Sequence, residues 1–222
     1  MCNAIENRDL GRLAELATVV DIAPGRVFIE EGGAADSFFN VTAGTARLFK
    51  LLPDGRRQIT GFAGSGHFLG LAMSTVYAFG AEAIDQVRVC RFARPKLLRL
   101  LDDFPAMEKR LLDVASGELI AAQEQMLLLG RKTARERLAS FLVARGRTGV
   151  AREHTRILLI LPMTRGDIAD YLGLTIETVS RTFTRFRIEG LIALPSSSEV
   201  LLLDAPALQQ LGDGLNWRRQ LT

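Results

Sequence analysis

The chain has 222 residues, 48% hydrophobic and 24% charged, with a net charge of +3; at about 100–200 residues per domain this allows one large or two small folded domains and excludes a disordered tail protein. No apolar run reaches the roughly 18 residues that span a bilayer, and MCNAIENRDLGRLAEL lacks a basic stretch followed by an apolar one, so a cytoplasmic protein without a membrane partner is expected. Two cysteines, Cys2 and Cys90, and two histidines, His67 and His154, exclude a disulfide framework and a histidine-rich metal centre.

In chain order, Asp9 to Ala17 reads as a short helix, with Leu10, Leu13, Leu16 and Ala17 on one face. From Val20 to Phe92 short apolar runs alternate with glycine-rich breaks. RVFIEE, SFFNVTAG, TARLFKLL, RQITGFA and QVRVCRF have the length of strands, and their spacing predicts a β-roll or barrel. LLPDGRRQI reads as a hairpin in which Asp54-Gly55 makes a tight primed turn. Pro95 opens a helical region and Pro105 interrupts it before a longer helix. On that helix Leu112, Ala115, Leu119, Ala122, Met126 and Leu129 step by three and four, a heptad seam suited to dimerisation. Gly130 marks its junction with the next region. The two sides of that junction differ in charge: residues 1–130 carry 14 Lys+Arg against 16 Asp+Glu, and residues 131–222 carry 14 against 9. A basic C-terminal module suits a polyanion partner.

Beyond the junction, ARERLASFLVARGR predicts a helix buried through Leu138, Phe141 and Leu142, and ILLILP a strand. TRGDIADYLGLTIETVSRTFTRFRIE follows. Thr164 is placed to cap a helix, with Asp167 closing a capping box, and Ile168, Ala169 and Leu172 turn inward. Gly173 supplies a left-handed turn, Thr175 caps a second helix, and Ile176, Val179, Phe183 and Phe186 form its buried stripe. This spacing of small residue, glycine and valine is that of a helix-turn-helix. The outer face of the second helix is then Glu177, Thr178, Ser180, Arg181, Thr184, Arg185 and Arg187. In a major groove of double-stranded DNA, Arg181 can donate to guanine, Glu177 can accept from a cytosine amino group, and Ser180 can reach a base edge. Arg185 and Arg187 suit phosphates, with Thr164, Thr175, Thr178 and Thr184 at or beside the backbone. GLIALPSSSEVLLLD reads as a hairpin wing around Pro195, and DAPALQQL as a closing helix capped by Asp204.

Together these parts resemble the CRP/FNR superfamily of transcription regulators over nearly the whole chain. The expected fold class is α+β: an N-terminal β-roll like a cyclic-nucleotide-binding domain over residues 1–106, a dimerisation helix over 107–130, and a C-terminal winged helix-turn-helix over 131–222. PMTRGDIADYLGLTIETVSR is similar to the FNR and FixK branch, and so is ASGELIAAQEQMLLLGRKTARERLASFL. The resemblance implies a homodimer on a palindromic TTGA-type site, read through Glu177, Ser180 and Arg181, and contact with RNA polymerase. It also implies oxygen- or redox-linked gene control.

Effector recognition departs from several relatives. Leu71 stands where cyclic-nucleotide binders carry a glutamate, and FGAEAID lacks their arginine, so no cyclic nucleotide is expected. Cys90 lies where iron–sulfur FNR proteins have a fourth ligand, but two thiolates cannot hold such a cluster within one chain. Cys90 therefore reads as a buried strand cysteine, His67 as a turn residue, and no cofactor, no metal and no catalytic residue is expected. The alternatives are a haem-gated (through His67) or small-ligand-gated regulator of the same superfamily, and a ligand-binding subunit whose C-terminal helices contact protein. A cupin-like metalloenzyme would need more histidines than Val20 to Phe92 offers.

Overall fold

A computed structural model describes residues 15–70, 75–103, 105–147, 150–152 and 156–214. The chain divides into two compact units, Met1–Ala122 and Gln123–Thr222. The first holds β1 (Ala17–Ile22), β2 (Val27–Ile29), β3 (Ser37–Ala43), β4 (Ala46–Leu51), β5 (Arg57–Ala63), β6 (Phe68–Leu69), β7 (Gly80–Ala83) and β8 (Val87–Ala93). They form two four-stranded sheets, ordered β1-β8-β3-β6 and β2-β7-β4-β5, with antiparallel pairings throughout. Alternation places the inner residues: Val87 and Val89 of β8 join Phe39 and Val41 of β3 in a core shared with Ile29, Ala46 and Ala81 of the other sheet. The opposite face of the first sheet collects Phe38, Phe68 and Phe92 with Leu97 of α1 (Arg94–Asp103).

Two local expectations need correction. Ala17 is not helical; it opens β1, paired with Phe92, because the neighbouring edge of β8 offers it a ladder. Of the expected N-terminal helix, residues 9–14 lie outside the described residues. The β4–β5 connection is a three-residue loop, not a two-residue primed turn. Gly55 N–H donates to the Leu52 carbonyl at 2.9 Å and Leu52 N–H to the Arg56 carbonyl at 2.7 Å. Pro53 has a ring-fixed negative φ, which suits the first corner of a type I turn, and only Gly55, at φ +84°, is left to take the left-handed closing position. α2 (Pro105–Arg131) ends one residue past Gly130, and Thr133 caps the next helix.

The second unit contains the end of α2, then α3 (Ala134–Gly146), β9 (Val150–Arg152), β10 (Arg156–Ile160), α4 (Arg165–Leu172), α5 (Ile176–Ile188), β11 (Ile192–Ala193), β12 (Glu199–Leu202) and α6 (Ala205–Gly212). α3 opens on a reciprocal capping box between Thr133 and Glu136 and buries Leu138, Phe141 and Leu142. The sheet order is β11-β12-β10-β9, so the wing hairpin joins the strand that precedes the helical pair. Asp204 caps α6 through the Ala207 N–H. Among the described residues, no helix is long and apolar enough to cross a membrane.

Candidate nucleic-acid interface

The α4–α5 pair is set by its caps. The Thr164 hydroxyl accepts from Asp167 N–H at 3.1 Å, and the Asp167 carboxylate accepts from Thr164 N–H at 2.9 Å. Gly173 adopts φ +60°, and Leu174 N–H closes the turn onto the Ala169 carbonyl at 3.0 Å. A Cβ at this position would also sit 3.2 Å from the Leu129 side chain, a close but yielding contact. The Thr175 hydroxyl accepts from Thr178 N–H at 3.2 Å and starts α5. Both cap hydroxyls are thus already engaged.

α5 buries Val179, Phe183 and Phe186, each no more than 2% exposed. Thr182, absent from the expected stripe, is buried too; its hydroxyl donates to the Thr178 carbonyl at 2.7 Å, which makes burial cheap. Ile176, expected in the stripe, is 53% exposed. It is the first residue of the helix, at the edge of the stripe, with its Cδ1 beside Gly166 of α4.

Glu177, Ser180, Arg181, Thr184, Arg185 and Arg187 all lie exposed on α5, and Thr178 is half-buried. Glu177 and Arg181 stand one turn apart, with Arg181 Nε donating to the Glu177 carbonyl at 3.3 Å. The N–H of Glu177 and then the Thr175 hydroxyl hold the Glu177 carboxyl below the usual carboxylate range, so it presents a fixed anion at the helix start. At the other end Arg185 donates to Glu189 at 3.0 Å. Glu189 also accepts a two-pronged bond from Arg135 of α3, at 2.8 and 2.6 Å. These bonds, Arg135 foremost, lower the Glu189 pKa. The Arg135 guanidinium also lies 5.5 Å from the Phe186 ring centroid, and that of Arg165 3.5 Å from Phe183, where burial lowers the Arg165 pKa.

One guanidinium joins the turn to the helix before it. Arg137 of α3 donates to the Leu172 carbonyl of α4 and the Leu129 carbonyl of α2, both at 2.8 Å, and to the Lys132 carbonyl at 2.9 Å. Gln125 of α2 donates to the Tyr171 carbonyl at 2.8 Å. Sequence reasoning missed Arg135, Arg137, Gln125 and Glu189, whose partners lie up to 54 residues away.

On α2, Leu112, Leu119 and Met126 are 61–65% exposed, and Ala115 and Ala122 are exposed with them. Leu129, expected in the same seam, is half-buried and packs toward Gly173. Ile120 and Leu127, both 57% exposed, add a second apolar ridge. Their seven-residue step was the signal available for finding them.

In the β-roll, His67 is exposed, its Nδ1 3.0 Å from the Gly64 carbonyl oxygen. Cys90 is half-buried on β8. On β7 the outward residue is Glu82, paired with Arg47 and Arg57, while Ala81 and Ala83 lie in the core. Cys2, Leu71 and His154 lie outside the described residues.

Two sequence families match the chain: the bacterial regulatory proteins of the crp family over residues 161–192, and the cyclic nucleotide-binding domain over residues 19–104. The transcriptional activatory protein AadR of Rhodopseudomonas palustris is 47% identical over 203 residues, covering 90% of this chain and 84% of that protein. The nitrogen fixation regulation protein FixK of Bradyrhizobium diazoefficiens is 41% identical, over 95% of this chain and 89% of its own length. The chain belongs to the CRP/FNR family of transcription regulators. Its structure is similar to that of FixK2 from Bradyrhizobium japonicum, with a TM-score of 0.83 and 35% identity over 88% of this chain and 96% of that one. As in this family, the β-roll corresponds to the cyclic nucleotide-binding domain and α4–α5 to the helix-turn-helix of the DNA-binding domain. In this roll β7 carries one charged residue, Glu82, between the core residues Ala81 and Ala83.

Proposed function

We propose that the protein acts as a homodimer whose two α5 helices read a palindromic TTGA-type site in duplex DNA, in oxygen- or redox-linked gene control with RNA polymerase as its partner. The observation that carries this reading is the exposed pair Glu177 and Arg181, one helical turn apart on a helix whose other side is buried. An anion beside cations on a DNA-facing helix is unfavourable near phosphates, and a cytosine amino group repays it. Ser180 lies on the same face, while Arg185, Arg187, Thr184 and Thr178 flank it toward the backbone, with Thr164 and Thr175 at the two helix starts. The exposed α2 seam of Leu112, Ala115, Leu119, Ala122 and Met126 supports the dimer, since two half-sites one DNA turn apart need two reading helices. On this reading, residues 1–106 form a sensor-like roll, 107–130 the dimerisation helix and 131–222 the DNA-binding domain.

Fluorescence anisotropy on a TTGA palindrome and on a scrambled duplex, with salt titration, tests it. Specific binding weakens steeply with salt. Arg181→Ala is expected to cost about 1–3 kcal/mol on the cognate site and to relax preference at the contacted guanine. Equal loss on both duplexes makes Arg181 a phosphate contact and overturns base reading.

A second reading, gating by a small ligand, is favoured by a cleft of about 350 Å³ in the roll, floored by Val20, Phe28 and Phe39 and edged by Tyr77 and Arg91.

A further inference from the structure

The flank of α5 holds an ion network that base reading by Glu177 and Arg181 does not use. Arg185 stands one turn beyond Arg181, beside the outward face, and Glu189 follows one turn further on. The Arg185 side chain is 60% exposed, that of Glu189 only 8%. Arg185 donates to Glu189 through Nε, at 3.0 Å. A guanidinium carries five N–H donors on one rigid plane, so a bond at Nε fixes that plane without consuming the two terminal nitrogens. Glu189 is itself gripped at both oxygens by Arg135 of α3. Arg135 in turn lies over the Phe186 ring, so the anchor is held from outside the reading helix and its charge is matched there.

We propose that Glu189 is a positioning residue for DNA binding: it holds the Arg185 guanidinium at Nε so that the terminal nitrogens meet a backbone phosphate. The proposal rests on the reading of α5 as the helix that faces DNA. A long side chain that is free in solution loses its rotamer freedom when it docks, and one already held loses less. An acid this near to DNA repels phosphates by its charge alone. Here Arg135 supplies the opposite charge, which leaves Glu189 its hydrogen-bonding geometry and removes most of its repulsion. Phosphate contacts orient a protein without reading sequence, so Glu189 acts alike on cognate and random duplexes.

The test measures anisotropy of the full-length protein on the TTGA palindrome and on the scrambled duplex, with melts showing each variant folded at the assay temperature. Removing an acid beside DNA tightens binding if charge alone counts. Glu189→Gln is expected instead to weaken binding about fivefold on both duplexes, the worth of one hydrogen bond. Arg185→Ala is expected to weaken both by at least that factor and to lower the salt slope by about 0.9 for each protomer bound. Adding Glu189→Gln to Arg185→Ala should weaken binding no further. Arg185→Lys keeps the charge and the Arg135–Glu189 pair. It is expected to lose about threefold at an unchanged salt slope, because one ammonium cannot serve Glu189 and a phosphate as a planar fork does. Glu189→Gln binding as tightly as the parent overturns the proposal, and so does an equal loss from it in the parent and in Arg185→Ala. Arg185→Lys at parent strength overturns it too, without touching the buried acid. Base reading is judged by the ratio between the two duplexes, which is expected to stay constant in these variants, so the two assignments fail separately.

Discussion

Helices α2 and α5 both carry apolar side chains at helical spacing, and the chain buries one stripe and leaves the other open. On α5, Val179, Phe183 and Phe186 are covered by the protein's own residues. On α2, Leu112, Leu119 and Met126 stand more than half exposed, with Ile120 and Leu127 beside them. Periodicity therefore identifies a stripe but not its cover. What separates the two helices is the opposite face: α5 presents Glu177, Ser180, Arg181 and Arg187 to solvent, a pattern shaped for a polar partner, whereas the seam of α2 needs an apolar one.

Substitutions on either side break or sharpen this contrast. Leu119→Glu should give a monomer by sedimentation velocity and weaken binding to a palindrome about a hundredfold or more, since the second half-site no longer adds to the first. A dimer of unchanged strength refutes the seam. Phe186→Ala removes a fully buried ring on the other helix and should cost about 3–5 kcal/mol in urea unfolding; a loss below about 1 kcal/mol would show that the stripe does not hold α5 in place.

Glu189→Gln is next in size, at about 1–2 kcal/mol near neutral pH. Arg135, then Arg185, hold the Glu189 carboxyl below its ordinary range. The stabilisation is therefore present above the unfolded value of about 4.3 and fades as pH falls through the lowered folded value. The gap between parent and variant should close in acid, and a gap constant with pH means that charge is not its source. Ile176→Ala should change stability by no more than about 0.5 kcal/mol, because the side chain is exposed at the helix start. A larger loss would return Ile176 to the buried stripe.

The features legible in the sequence were those written in neighbouring residues. The caps Thr164, Thr175 and Asp204, the turn at Gly173 and the strand in QVRVCRF all act within a few positions, and each formed as read. β7 escaped notice because Gly80, Ala81, Glu82 and Ala83 have little strand propensity; its place comes from pairing with β2 and β4. The turn at Pro53 depended on which of several glycine-bearing geometries the two strands accepted. Long-range partners were harder still. Arg135 meets Glu189, and Asn40 faces Cys90, only because the fold brings distant segments together.

Arg137 shows what such a meeting implies. Its planar fork terminates two helices at once, serving carbonyls at Leu129 and Leu172 that would otherwise turn to water. A lysine there keeps the charge but, as a single compact ammonium, cannot span both ends. At this spot shape outranks sign, and even the mildest swap of one base for another would uncouple the final turn of the seam helix from the start of the reading module.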